Sequence, residues 1–486
     1  MKMGCHIKLS IFAFVTAIIA TSYALTKRNI ILQNHIDSLQ LELRSASPDA
    51  ILFWNQVMLQ ACANDYDKIV AFRPDQEGPA ATARVFAIIH GAMYEAMNNF
   101  DRIYQHVTEG SRSSTNDSID KQNGMIASII EAAYQTLSFL YPQQRPLFDA
   151  IYRAHLYRIR NETSSQNDIN IGLSIGQLTS SYMIENRKFD GSSDNTVYFP
   201  SMKPGYHKPD PLHTGQGFLG FHWGQVKPFF LNSASQYRPL DIFHDMYSSR
   251  TSYLNSDSYK RELNDVKIYG SKNSTYRTDD QTQIGIAWAY DGAPKLGTPP
   301  RLYNQIVRII AIQQGNTLEQ NARLFALVNY AMCDTGIAAW EAKYHYAFWR
   351  PIVGIREASN VKDADLKWTP LGAPADGTGT DFTPPFPAYV SGHAAFGSAA
   401  FHTLRLFYNR DDIQFQFQSD EYNGKTKDSN TGLVRPALTR SYRSLTAAEM
   451  ENAISRIYLG VHWRSDVERG MILGKDIALE VFRKLI

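Results

Sequence analysis

The stretch PFPAYVSGHAAFGS, residues 385–398, joins a proline-rich segment to a segment with helical spacing. Prolines disfavour a helix in the residues that precede them. Ser391 is a good N-cap for the helix that follows. Ser391, Gly392 and His393 are therefore predicted at a helix N-terminus, where free amides and the helix dipole favour an anion. The imidazole of His393 places a titratable group beside that anion.

A second segment, KYHYAFWRP, supplies positive charge. Lys343 and Arg350 lie seven residues apart, so a continuous helix ending at Pro351 would place both cations on one face. Two neighbouring cations repel each other unless an anion lies between them. A solvated charged face or a pair of structural salt bridges is the alternative. The surrounding aromatic residues favour partial burial.

The third segment, ENAISRIYLGVHWRSD, places Arg456 on a helix that Gly460 is predicted to end. His462 follows in the turn, and Asp466 could accept a hydrogen bond from its imidazole and fix the tautomer. The three segments together suit a tetrahedral dianion such as phosphate or vanadate. One imidazole can attack or coordinate the central atom, and the other can exchange protons with an apical oxygen.

Helical periodicity dominates the elements that must position these residues, because apolar residues recur at three- and four-residue steps in most long segments. Strong alternating strand patterns are scarce. Long loops are predicted at 188–240, 354–390 and 411–445. We predict an all-α fold of packed helical bundles, with two four-helix-bundle-like units and long connecting loops.

The composition predicts a large globular protein whose positive and negative charges nearly balance. The 486 residues are 44% hydrophobic, which is ample for the core of one or two domains. The formal net charge is +2. This balance gives no reason to expect nucleic acid as a partner. Cys62 and Cys333 are predicted as buried free thiols, with a disulfide left open.

The N-terminus is typical of a targeting segment. Two lysines precede a short apolar stretch, and Ser22 and Ala24 are small residues at the spacing of a cleavage site. The stretch is shorter than the roughly 20 residues that a membrane span prefers, so a cleaved signal peptide and a secreted protein are predicted. An uncleaved signal anchor is the alternative, and a membrane is a predicted partner only in that case. The predicted division is residues 1–24, an N-terminal helical region 25–280 and a C-terminal helical region 281–486 that carries the site motifs.

The motif order K-x6-R-P, S-G-H and S-R-x3-G-V-H-x3-D resembles that of the vanadium-dependent haloperoxidase and type-2 phosphatidic acid phosphatase superfamily. Longer stretches, including WAYDGAPKLGTPPRLYNQIV, resemble the secreted vanadium chloroperoxidases. This resemblance is clear over roughly residues 280–470. One departure lies at Val390, where the family usually has a proline before Ser-Gly-His.

The resemblance implies a vanadate cofactor with His462 as the vanadium ligand and His393 as the acid–base residue. It implies that Lys343 can polarise a bound peroxide and that Asp291, in AYDG, pairs with Arg456. The implied vanadate-binding residues are Lys343, Arg350, Ser391, Gly392, His393, Arg456 and His462.

Trp340 and Phe386 match aromatic positions of the family's halide pocket. Bromide-preferring relatives tend to carry a histidine where Phe386 stands, so the resemblance is to the chloroperoxidases.

The implied activity is that of an oxidoreductase, a vanadium chloroperoxidase. It would oxidise halide with hydrogen peroxide to hypohalous acid through a peroxovanadate on His462. The alternative on the same scaffold is an acid phosphatase with His462 as nucleophile and His393 as the leaving-group acid. A non-enzymatic secreted protein that keeps the fold is the third hypothesis.

Overall fold

The computed structural model describes residues 3–45, 49–101, 104–107, 121–162, 165–358, 364–374, 381–428 and 431–485. Over these ranges the chain forms α-helices and one two-stranded sheet, and the predicted all-α fold is confirmed. The first nine helices are α1 Met3–Ser45, α2 Ala50–Asp65, α3 Pro79–Asp101, α4 Lys121–Leu140, α5 Arg145–Glu162, α6 Gln166–Arg187, α7 Arg250–Leu254, α8 Asp257–Tyr269 and α9 Asp279–Ala287. The later elements are α10 Pro299–Gln314, α11 Leu318–Tyr346, α12 Pro351–Arg356, α13 Gly392–Tyr408, β1 Phe415–Asn423, β2 Ala437–Tyr442, α14 Leu445–Tyr458 and α15 Arg464–Lys484.

Two groups of helices pack as bundles that meet where α3 contacts α11. Helices α3, α4, α5 and α6 form the first group, and α11, α13, α14 and α15 form the second, with α10 beside α13. The backbones of α13 and α15 approach closely because Gly474 has no side chain. A Cβ at Gly474 would lie 2.1 Å from the carbonyl oxygen of Ala395. This contact brings the first turn of α13 against the middle of α15.

The polar segment 411–445 is not the uninterrupted loop that we predicted. It contains the antiparallel strands β1 and β2, with Phe415 opposite Tyr442 and Phe417 opposite Arg440. The side chains of FQFQ alternate between buried phenylalanine and exposed glutamine, which is the period of a strand. The prediction overlooked this short alternation beside the stronger helical signals.

The prediction that one helix carries both Lys343 and Arg350 is also wrong. Helix α11 ends at Tyr346, and Ala347 adopts a left-handed conformation with φ 47°. Arg350 is instead the N-cap residue of α12, and Pro351 occupies the first position of that helix, where proline is favoured.

The break after α11 is stabilised by a neighbouring extended segment. The amide of His207 donates to the carbonyl of Ala347 at 2.7 Å, and the amide of Trp349 donates to the carbonyl of Gly205 at 3.2 Å. A left-handed residue other than glycine costs roughly 1–2 kcal/mol, and tertiary hydrogen bonds of this kind offset it. The two cations therefore lie on separate elements whose relative position is fixed by residues 205–207.

Helix α14 ends as predicted, at Gly460. Its amide donates to Ile457 at 2.9 Å, the amide of Val461 donates to Arg456 at 3.2 Å, and Gly460 has φ 73°. This Schellman arrangement satisfies two terminal carbonyls. The turn carries the chain directly from Arg456 to His462.

Helix α1 packs on the core through one stripe beyond the predicted cleavage position. The buried residues of this stripe are Leu32, Ile36, Leu39 and Leu43, whereas residues 23–26 are exposed. None of the helices in the described ranges has both the length and the hydropathy needed to cross a membrane. Residues 1 and 2 of the predicted signal segment lie outside the described ranges, and its cleavage stays a prediction.

Cys62 and Cys333 are both buried and unbonded, in line with the predicted free thiols. Burial raises the pKa of the Cys62 thiol to about 12. Both residues therefore act as small apolar side chains of the core.

The turn at Gly460 gives a test of the fold. We expect Gly460→Ala to destabilise the protein by more than the roughly 1–2 kcal/mol of a left-handed alanine, because its Cβ would lie 2.5 Å from the carbonyl oxygen of Gly270. Gly315→Ala is the matched control, since Gly315 has φ 67° and open space around its Cβ position. Urea unfolding followed by circular dichroism measures both variants. Equal losses would show that the contact with Gly270 is unimportant.

Candidate oxyanion site

One cavity in the second bundle collects most of the predicted site residues. The predicted residues that line it are Asp291, Trp340, Phe386, Gly392, His393, Arg456 and His462. Lys343, Arg350, Ser391 and Asp466 lie behind this lining and reach it through the contacts described below.

His462 is held through both of its ring nitrogens. Nδ1 lies 3.1 Å from Oδ2 of Asp466, and Nε2 lies 2.9 Å from Nη1 of Arg350. A guanidinium group only donates, so Nε2 is the acceptor and Nδ1 carries the proton. Burial, and then the charges of Arg350 and Lys343, hold the pKa of His462 well below its usual value. A neutral ring thus presents a lone pair at Nε2.

Asp466 fixes this tautomer from the first turn of α15. Its Oδ2 also accepts from the amide of Trp463 at 2.8 Å. Burial raises the pKa of Asp466 to about 8, against the opposing effect of the Trp463 amide. Its main-chain carbonyl accepts from the amide of Ser391 at 2.9 Å. The residue that orients His462 therefore also holds the start of α13.

Arg350 and Arg456 are buried with part of their donor capacity unused. Arg350 donates to the carbonyls of Phe386 at 2.8 Å and Val461 at 2.7 Å, and Arg456 donates to Oδ2 of Asp291 at 2.8 Å. Nη2 of Arg350 and both Nε and Nη1 of Arg456 have no partner among the described residues. Leaving a buried donor unsatisfied costs about 1–3 kcal/mol. These donors fit the oxygens of a bound anion.

Lys343 lies beside the site but is bonded to the loop before α13. Its Nζ donates to the carbonyls of Pro387 at 2.9 Å, Ala388 at 3.2 Å and Val390 at 2.5 Å. Burial, reinforced by the charge of Arg350, holds the pKa of Lys343 well below its usual value. In this structure Lys343 stabilises the loop before α13. Its predicted contact with a bound peroxide stays a prediction.

His393 occupies the first turn of α13. Its Nε2 donates to the carbonyl of Ala289 at 2.5 Å and lies 3.8 Å from Oδ2 of Asp291. Burial, and then the charge of Arg456, lower the pKa of His393 to about 3. The site thus holds a second neutral imidazole, next to the carboxylate that pairs with Arg456.

Two residues that sequence reasoning missed hold His393 in place. The hydroxyl of Tyr303, on α10, and Nδ2 of Asn452, on α14, donate to the carbonyl of His393 at 2.9 and 3.0 Å. Both side chains are buried. The only signal in the sequence is a polar group on the apolar side of each helix, which does not say what it contacts.

The N-terminal turn of α13 faces the same cavity. The side-chain oxygen of Ser391 accepts from the amide of Ala394 at 3.4 Å, so Ser391 is the N-cap residue as predicted. The amides of Gly392 and His393 are among the first-turn groups that have no acceptor within the helix. They add the positive end of the helix dipole to the two arginines.

Trp340 and Phe386 form the apolar wall of the cavity. Their ring centroids lie 4.8 Å apart, and Nζ of Lys343 lies 5.1 Å from the centroid of Phe386. The wall excludes water, which strengthens the electrostatic interactions inside the cavity.

The fold is that of a helical-bundle protein, and the cavity is a candidate oxyanion site in which Nε2 of His462 carries the lone pair of a neutral imidazole. The unpartnered arginine donors, the helix amides and Nε2 of His462 fit vanadate, and they fit phosphate equally well because both are tetrahedral oxyanions.

Comparison with known proteins points to one family. Residues 323–486 match the family described as the VCPO second helical-bundle domain. The chain is 43% identical over 227 residues to the vanadium chloroperoxidase of Curvularia inaequalis, a match that covers 40% of this chain and 37% of that protein. The matched part thus spans little more than a third of that relative's length.

Solved structures extend the likeness in fold to most of the chain. A bacterial vanadium-dependent iodoperoxidase superposes with a TM-score of 0.66 at 23% identity, covering 88% of this chain and 95% of that one. A holo-type bacterial vanadium-dependent chloroperoxidase gives a TM-score of 0.64 at 17% identity, covering 84% and 92%. The predicted resemblance is confirmed at the level of fold: most of the chain has the fold of the vanadium haloperoxidases, and residues 323–486 match the VCPO second helical-bundle domain.

The hydrogen bond from His462 to Asp466 gives a test of the site. Asp466→Asn replaces the carboxyl group that fixes the tautomer with an amide, and we expect vanadate affinity to fall by roughly 10–100-fold. Asp265→Asn is the control, because Asp265 pairs with Arg464 at the exposed start of the same helix and its loss should leave the affinity unchanged. A vanadate titration measures both. An unchanged dissociation constant for Asp466→Asn would contradict the role given to Asp466.

Proposed function

We propose that this protein is a vanadium-dependent haloperoxidase that oxidises halide with hydrogen peroxide to hypohalous acid. The observation that carries the proposal is that His462 and Arg456, which has two unpartnered nitrogens, line one cavity, while Arg350, which has one unpartnered nitrogen, contacts Nε2 of His462. The family relatives named above support the choice of vanadate as the cofactor. Bound vanadate would supply Lewis acidity toward peroxide without any change of its oxidation state.

The chain's own residues would bind and orient the reactants. Arg350, Arg456 and the Gly392 amide would hold the oxyanion, and Nε2 of His462 would bind its central atom. Because Nε2 now accepts from Arg350, that hydrogen bond must be given up to an oxygen of the anion. Nη1 would then remain bonded to the carbonyl of Val461, so the guanidinium stays in place.

Proton transfer is assigned to His393. Its neutral ring can accept a proton when peroxide binds, and Asp291 at 3.8 Å would stabilise the imidazolium that results. The carboxylate of Asp291 is already bonded to Arg456, which fixes its position. The low pKa of His393, about 3, makes the protonated form short-lived.

The aromatic wall favours a small halide over a bulky phosphoester. Trp340 and Phe386 line the cavity, and two cations, Lys343 and Arg350, lie over the ring of Phe386 at 5.1 and 5.0 Å. An apolar surface backed by positive charge suits a weakly hydrated anion. With Phe386 at this position we propose a chloroperoxidase.

Phosphatase activity is the second candidate, and one observation favours it. Nε2 of His462 is unprotonated and held by Asp466 on the far side of the ring, which is the arrangement of an activated nucleophile. The same oxyanion-binding residues would hold the phosphate of an ester while His393 protonates the leaving group.

We also propose that the protein is exported and that its first 24 residues are removed. The support is the targeting pattern in the sequence and the packing of α1, whose buried residues among the described side chains are Leu32, Ile36, Leu39 and Leu43. Sequencing the N-terminus of exported protein tests this, and a retained Met1 would contradict it.

The central test compares two reactions in one preparation. After addition of vanadate we expect peroxide-dependent bromination and chlorination of a dye, and we expect His462→Ala to reduce both by at least roughly 100-fold. His345→Ala is the control, because His345 is exposed on α11 and lies outside the cavity. Vanadate-independent hydrolysis of a nitrophenyl phosphate, lost in His462→Ala, would favour the phosphatase. Activity in neither assay would contradict both candidates.

A further inference from the structure

A second cavity, which we call the rear cavity, shares Pro384 with the cavity of the oxyanion site. It has room for a molecule about the size of water, and its lining includes His207, Thr383, Arg350 and Pro384. Pro384 lines both cavities. Arg350 lines the rear cavity and also contacts His462 in the oxyanion site.

The rear cavity is lined by buried polar atoms that lack partners. His207 is 3% exposed and Thr383 is 2% exposed. Neither ring nitrogen of His207, nor Oγ1 of Thr383, has a hydrogen-bond partner among the described residues. Buried polar groups are nearly always hydrogen-bonded. Three such atoms around one cavity point to a ligand that bonds to them.

The two side chains are rigidly placed. The backbone of residues 205–207 pairs with residues 347–349. The ring of His207 packs edge-on against Phe218, with centroids 5.4 Å apart. The carbonyl of Thr383 accepts from Nε2 of Gln216 at 2.7 Å. Neither residue can easily turn away to find another partner.

The chemistry of the lining selects a neutral ligand. Lys208 forms an ion pair with Glu357, and the lining also contains one acidic residue, Asp210, and one further cation, Arg350, so the formal charges balance once Glu357 is counted. Burial, and then the charges of Arg350 and Lys343, hold the pKa of His207 well below its usual value. A neutral imidazole has one donor and one acceptor nitrogen.

A halide ion only accepts hydrogen bonds and would leave the acceptor nitrogen of His207 unsatisfied. Hydrogen peroxide carries two donors and four lone pairs on two heavy atoms, and it matches the polarity of the lining. We propose that the rear cavity binds hydrogen peroxide and holds it in a cavity that shares Pro384 with the oxyanion site. This inference rests on the proposed function for its purpose, because it names the holding site of the oxidant.

The first experiment uses the protein without vanadate, so that no turnover occurs. Hydrogen peroxide is titrated while the ¹⁵N signals of the histidine rings are followed by NMR, with the His207 signals assigned from their loss in His207→Phe. We expect a saturable shift of the His207 signals that is reversed by catalase, and no response to bromide. A response to bromide alone, or to neither reagent, would overturn the proposal.

The second experiment uses vanadate-loaded enzyme. His207→Phe and Thr383→Val should each raise KM for peroxide by roughly fivefold to tenfold, with KM for halide and the vanadate dissociation constant unchanged. His207→Gln keeps a donor and an acceptor and should recover most of the loss. His155→Phe is the matched control, since His155 is also buried between aromatic rings, in the first half of the chain. An unchanged KM for peroxide in both variants would contradict the assignment.

The two experiments separate this inference from the proposed function. If halide oxidation is normal but the His207 signals do not change with peroxide, the rear-cavity site is overturned and the proposed haloperoxidase activity is not. A His207 response without any halide oxidation would support the binding site and contradict the haloperoxidase.

Discussion

Burial of like charges around one small cavity is the constraint on which the site depends. Arg350, Arg456 and Lys343 are all nearly inaccessible to solvent, and buried charge is tolerated only where opposite charge or hydrogen bonds compensate it. Asp291 compensates Arg456 directly, whereas Arg350 and Lys343 bond mainly to neutral carbonyls. Burial, and then the resulting excess of positive charge, keep the two site imidazoles neutral, and donors remain that an oxyanion can satisfy.

The scaffold supplies this arrangement through a few backbone features. The absence of a side chain at Gly474 lets α15 lie against α13, so Asp466 contacts both His462 and the amide of Ser391. The turn at Gly460 fixes the short distance along the chain between Arg456 and His462. The break at Ala347 turns Arg350 away from the axis of α11 and toward the same cavity. The turns at Gly460 and Ala347 lie at helix termini. At a helix terminus the backbone groups lack partners within the helix, and nearby polar side chains can face a site.

Local signals in the sequence predicted the parts of the site that depend on nearby residues. The N-cap at Ser391, the helix end at Gly460 and the bond from His462 to Asp466 all follow from spacings of a few residues. The end of α11 could not be predicted in this way, because alanine favours a helix and only the pairing with residues 205–207 stabilises the left-handed turn. No pattern in the sequence indicated His207, because the cavity that it lines is formed by segments that are far apart in the chain. The pairing of Asp291 with Arg456 spans 165 residues, and only the family resemblance indicated it.

A crystal structure of the protein soaked with orthovanadate is the most direct test of the central claim. The account predicts vanadium bonded to Nε2 of His462, with oxygens within hydrogen-bond distance of Nη2 of Arg350 and Nη1 of Arg456. It also predicts that the bond from Arg350 to Nε2 is replaced while Nδ1 stays on Asp466. Vanadate bound elsewhere, or Nε2 still accepting from Arg350 at saturating vanadate, would contradict it.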